Sequence, residues 1–100
     1  MDIVSSVKQE VDKISENNEV ILFGSRARGD FRYDSDWDFL ILLKKKKLTK
    51  TEKNKLRDKL YEIELEADEV ISTLIHSEQE WEKRSITPIY KAIKEEGVKA

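Results

Sequence analysis

The chain contains no cysteine, one proline, three glycines and one histidine among its 100 residues. Without cysteine there is no disulfide framework and no thiolate metal site, which fits a reducing compartment. A single histidine cannot build a metal centre, and the surroundings of His76 supply no nucleophile partner, so it reads as structural or exposed. No apolar run approaches the roughly 20 residues of a membrane span. Met1-Asp2-Ile3-Val4 lacks the basic-then-apolar form of a signal peptide, so the cytoplasm is the default location. An excess of positive charge is also missing. Charged residues make up 40% of the chain, yet the net charge is only -2. That argues against direct nucleic-acid binding by the chain as a whole, and any polyanion site must be local. Hydrophobic residues make up 38%, so the core is small. A chain of this size buries somewhat over about 60% of its unfolded surface, enough for one modest core. Residues 1–100 are expected to form a single domain, with no repeat and no linker.

What is present is a clear alternation of patterns. Ile3, Val4, Val7, Val11 and Ile14 recur at helical spacing, so residues 3–16 read as an amphipathic helix that Asn17-Asn18 ends. Glu19 to Phe23 is a short run with β-branched residues and reads as a buried strand. Gly24 to Asp34 reads as a loop with room for one helical turn. Trp37 to Leu43 reads as a second strand, apolar enough for a sheet covered on at least one face. The run Lys44 to Lys47 stops it. Thr49-Lys50-Thr51-Glu52 has capping-box spacing and opens a helix striped by Leu56, Leu60, Ile63 and Ala67, running to about Glu66. Val70 to Ile75 reads as a third strand. Ser77-Glu78-Gln79-Glu80 is a second capping box, before a short helix with Trp81. Thr87 precedes Pro88 as an N-cap before proline at the first helical position. The last helix runs to about Glu96, and Gly97 caps it. The order predicts an α/β (α+β) fold, a small sheet with helices packed over it.

Two short motifs carry chemistry. Gly24-Ser25 follows the first strand. Glycine lets the backbone turn tightly and approach a ligand, and serine adds a hydroxyl, so the turn can hold a phosphate. Eleven residues after Ser25 comes Asp36, with Asp38 two further on, and they open the second strand. Residues i and i+2 of a strand share a face. Two carboxylates held that close repel unless a cation sits between them, and Mg²⁺ favours a few carboxylate oxygens completed by water and phosphate. Charges beside buried strand positions need a partner. Each motif alone is commonly a plain turn or a surface pair. Together, on successive strands, they describe one metal and triphosphate site.

Gly24-Ser25-Arg26-Ala27-Arg28-Gly29-Asp30, with Ser35-Asp36-Trp37-Asp38, resembles the signature of the DNA polymerase β-like nucleotidyltransferase superfamily. The short length and the Ala-Arg-Gly-Asp form are most similar to the minimal nucleotidyltransferases of the MntA type. The resemblance implies a small mixed β-sheet with helices packed over it. It implies that Gly24 and Ser25 hold nucleotide phosphates, with Arg26, Arg28 and Ser35 as further candidate contacts. Asp36 and Asp38 would ligate two Mg²⁺ ions, and the reaction would move a nucleoside monophosphate, AMP from ATP, onto a hydroxyl. A third carboxylate on a neighbouring strand completes such sites. Asp68 is the expected residue here, with Glu66 and Glu69 as rivals; the strand interior offers only Ser72 and Thr73. The resemblance further implies a HEPN-domain toxin as protein partner. The alternative is a non-catalytic nucleotide-binding or antitoxin subunit that acts by contact.

Other residues have plainer readings beside functional ones. Arg26 and Arg28 suit bidentate phosphate contact, or one of them neutralises Asp30, Asp34 or a motif aspartate, with Arg28, beside the glycine, slightly favoured for that structural part. The lysines from 44 to 55 could touch RNA, but a solvated charge run at a strand end is the simpler reading. Trp37 lies between the aspartates in sequence and so faces away from them. Trp81 reads as core or interface. Tyr33 and Tyr61 read as surface tyrosines, with self-modification as the alternative.

Overall fold

A computed structural model describes residues 2–45 and 47–100. Lys46, part of the lysine run, lies outside the described residues.

Helix α1 (Ile3–Ile14) starts at Asp2, whose side chain accepts from the Ser5 backbone N–H, and ends at extended Ser15. It is shorter than the expected 3–16. The Asn18 side chain accounts for this: its amide donates to Asp12 Oδ1 at 2.8 Å and to the Ser15 carbonyl at 2.6 Å, pulling the chain off the helix and into a strand. Strand β1 (Asn18–Phe23) leads to the single turn of α2 (Ser25–Arg28), and β2 (Trp37–Leu43) keeps the expected bounds. Helix α3 (Lys50–Ala67) opens on the complete Thr49–Glu52 capping box. Strand β3 (Ile71–Ser77) begins one residue later than expected and runs two further. Ser77 is both its last residue and the N-cap of α4 (Glu78–Glu82), where the second capping box is complete. Helix α5 (Pro88–Glu96) starts at Thr87 and proline as read. A short strand β4 (Val98–Lys99) follows, which two residues were too few to announce.

The sheet is four-stranded and mixed, in the order β3-β2-β1-β4. β2 runs antiparallel to β1 and parallel to β3, and β4 runs antiparallel to β1. The parallel pair requires a crossover, and α3 supplies it. Side-chain alternation along β2 splits the core in two. Phe39, Ile41 and Leu43 face α1 and α3, with Val7, Val11, Leu56 and Leu60. Leu40 and Leu42 face α4 and α5, with Trp81 and Ile93. Both faces of β2 are therefore covered, which explains its unbroken apolar run. His76 stacks on Trp81 at 5.6 Å between ring centroids, and burial lowers its pKa, so its role is packing.

Candidate functional site

The site lies where β1 ends and β2 begins. Antiparallel pairing sets Phe23 opposite Asp38, so Gly24, the next residue, is delivered beside the Asp38 carboxylate. Gly24 has φ +75°, a conformation that side chains rarely adopt. A Cβ there would also fall on Asp38 Oδ2, well inside contact distance. Both facts require glycine. The Gly24 carbonyl accepts from the N–H groups of Ala27 and Arg28 at 3.1 and 3.0 Å, which closes the turn of α2. Ser25 is the first residue of that turn.

Asp38 is on the α4–α5 face of β2, as its alternation with Leu40 and Leu42 requires. Asp36 precedes the strand and is exposed. Burial raises the Asp38 carboxyl above its ordinary value; the Asp36 charge raises it further and Arg28 opposes both. Asp36 lies before the first residue of β2, so strand alternation does not itself set it on the Asp38 face; the link between the two is this charge effect. This pair of hard oxygen donors suits a divalent cation such as Mg²⁺, provided phosphate and water oxygens complete the shell.

The structure places the remaining candidates differently. The Arg26 side chain is only 7% exposed. Its guanidinium lies between the Phe31 ring, 4.5 Å from the centroid, and the Trp37 ring, at 4.4 Å. It donates to the Tyr33 carbonyl at 3.1 Å and the Ser35 carbonyl at 3.0 Å, and pairs with Glu69 at 3.4 Å. This arginine is committed to shaping the loop that carries Asp36, the structural member of the two readings. Ser35 belongs to the same loop, its hydroxyl accepting from the Arg32 N–H at 2.9 Å. Arg28 is half-exposed and pairs with Asp30 at 3.3 Å and Glu96 at 3.2 Å. Trp37 faces away from the aspartates and packs on the α1–α3 core, as expected.

The third acid is not brought to the pair. Asp68 is the C-cap of α3, in the left-handed conformation at φ 53°, and is exposed. Aspartate is among the few side chains that tolerate that conformation. It lines a hollow of about 240 Å³ with Tyr33, Asp34, Ser35, Glu69 and Val70. Glu66 is exposed on α3, and Glu69 is taken by Arg26. On β3 the residue in register with Asp38 is Ser72. Among the described residues, no three His, Cys, Asp or Glu side chains are grouped to hold a metal.

One residue at the site escaped the sequence reading. Glu96, at the end of α5, accepts from the Gly24 N–H at 3.1 Å. Its sequence signal is the ending from Trp81 to Glu96-Gly97, which resembles the tails of the family and reads as a helix stop but gives Glu96 no role.

Fold and motif together define a nucleotidyltransferase, and comparison agrees. Residues 4–100 match the nucleotidyltransferase domain family, and the chain belongs to it. It is 37% identical over 78 residues to a protein of Methanocaldococcus jannaschii, provisionally named protein adenylyltransferase MJ0141, covering 76% of this chain and 78% of that one. A solved toxin–antitoxin structure with AMP-PNP has the same fold, with a TM-score of 0.66 at 15% identity, over 99% of this chain and 72% of that one. No described helix is long and apolar enough to cross a membrane.

Proposed function

We propose that the chain transfers AMP from Mg-ATP to a hydroxyl of a partner protein. The observation that carries this reading is the contact of Gly24 with Asp38, beside a second carboxylate of like charge. A phosphate turn and a cation-seeking pair share one small region. Gly24 makes the turn, Ser25 holds the phosphates by backbone and hydroxyl donors, and Arg28 beside them is a counter-charge. Asp36 and Asp38 would hold Mg²⁺, which when bound neutralises charge on the triphosphate and favours departure of pyrophosphate. The acceptor oxygen bonds to the α-phosphorus, and the bond from that phosphorus to the α–β bridging oxygen breaks. Pyrophosphate leaves with that electron pair, and the hydroxyl proton passes to solvent. The protein contributes positioning and electrostatics.

The acceptor is read from the relatives. One carries the name of a protein adenylyltransferase, and the structural neighbour is part of a toxin–antitoxin pair. A HEPN-domain toxin is the partner that the family resemblance implies. The test uses ATP labelled at either the α- or the γ-phosphate, with Mg²⁺ and a candidate partner. Label from the α-position enters the partner and γ-label leaves in pyrophosphate. Asp36→Asn/Asp38→Asn abolishes both. The ungrouped third acid favours a second reading, an antitoxin that acts by contact alone. Partner neutralisation that survives the double substitution selects it.

A further inference from the structure

Glu96 and Gly24 lie 72 residues apart in the chain and meet at the turn. Glu96 Oε1 accepts from the Gly24 N–H, and both Glu96 oxygens accept from Arg28 Nη1, at 3.3 and 3.2 Å. We propose that Glu96 is a positioning residue for nucleotidyl transfer: its carboxylate fixes the Gly24 turn and the Arg28 guanidinium before substrate arrives. The inference rests on reading Gly24-Ser25 as the phosphate turn.

The contact is held from both sides. Gly97 follows, and a Cβ there would come within 2.5 Å of the Ile93 carbonyl oxygen and 2.6 Å of Ile21 Cγ2. Only glycine lets the chain pass this close to β1. Val98 and Lys99 then pair with Leu22 and Ile21, and the Ala100 N–H donates to the Val20 carbonyl at 2.8 Å. The strand that delivers Gly24 is thus the strand on which the segment after Glu96 is registered. Both ends of the contact sit in one frame.

The Gly24 amide itself needs this partner. It follows the last residue of β1, where the positive φ redirects the chain into α2, and its N–H is met by the Glu96 carboxylate. A carboxylate on that N–H is a charge-assisted bond, stronger than a neutral one. It fixes the orientation of the peptide plane at the turn.

Arg28 supplies the other half of the argument. It is the cation that bears on Asp38. An arginine free beside two carboxylates folds onto them. Glu96 and Asp30 engage the guanidinium instead, Glu96 through both of its oxygens. On the proposed reading, this keeps the guanidinium from closing on the aspartate oxygens. Glu96 does not itself join them in a three-acid group.

The test compares wild type, Glu96→Ala and Glu96→Gln in the labelled-ATP assay, with Asp36→Asn as control. Glu96→Ala raises the nucleotide KM about tenfold, the scale expected for removing a group that prepares a binding turn. Glu96→Gln, which keeps an acceptor for the Gly24 N–H, recovers part of that loss. In the free protein, hydrogen exchange at the Gly24 amide speeds up about tenfold or more in Glu96→Ala and stays unchanged at core strand amides such as Ile41. A purely structural role lowers the folded fraction and so the apparent kcat, with KM untouched. A KM within about twofold of wild type in both variants, beside an inactive Asp36→Asn, overturns the inference and leaves the function standing. Absence of transfer by wild type overturns both.

Discussion

Burial and the neighbouring Asp36 charge make the ionised form of Asp38 costly in the folded state. A carboxyl whose folded pKa is raised favours folding fully below its unfolded value and loses that contribution as pH rises through the folded one. At neutral pH the charge is therefore a penalty. Asp38→Asn should raise Tm by about 1–2 °C at pH 7, with the gain vanishing near pH 3, while removing transfer. Thermal melts across pH check the sign. Gly24 is the opposite case, a residue that stability and function both demand. Gly24→Ala forces a side chain into positive φ and onto Asp38. It should cost about 2 kcal/mol or more by denaturant unfolding. At this scale the sequence was readable where chemistry and period coincide: Asp36 and Asp38 alternate with Trp37, and glycine precedes serine after a strand. It was unreadable where a residue's role depends on a backbone angle or a distant partner. Asp68 reads as the third metal carboxylate, whereas its φ of 53° makes it the cap of α3. Arg26 reads equally as a phosphate ligand or a counter-charge, and two rings and Glu69 enclose it.

The loop between α2 and β2 is held by that arginine rather than by a core of its own. Tyr33 on it is 90% exposed, and Phe31, 47% exposed, lies against the guanidinium face. Arg26→Lys keeps the charge but loses the flat fork that reaches the Tyr33 and Ser35 carbonyls and stacks between the rings. Residues 31–36 should then exchange amide hydrogens faster, and transfer should fall about tenfold, because Asp36 is no longer held in place. The helices depend on their starts. Thr49→Ala removes one half of a complete capping box. It should cost about 1 kcal/mol, a drop of about 4–8 °C in Tm for a chain of this length. These starts were legible because capping is local chemistry within four residues. Strand β4 was not, because it exists only through its pairing with Ile21 and Leu22.

Seen whole, the sheet has a thick core under α1 and α3 and a thinner one under α4 and α5. The thinner face carries Asp38 at its edge, and α5 crosses it to bring Glu96 to Gly24. The family motif pointed to the phosphate turn and the metal pair, but not to this closure by the chain's last residues, since no local pattern links positions 24 and 96. The central claim is that turn and carboxylates form one Mg-nucleotide site. Calorimetric titration of a non-hydrolysable ATP analogue into the full chain, with and without Mg²⁺, tests it most directly. The account predicts binding that requires Mg²⁺ and weakens at least about tenfold in Asp36→Asn/Asp38→Asn. Equal affinity for the double variant, or affinity indifferent to Mg²⁺, would contradict it.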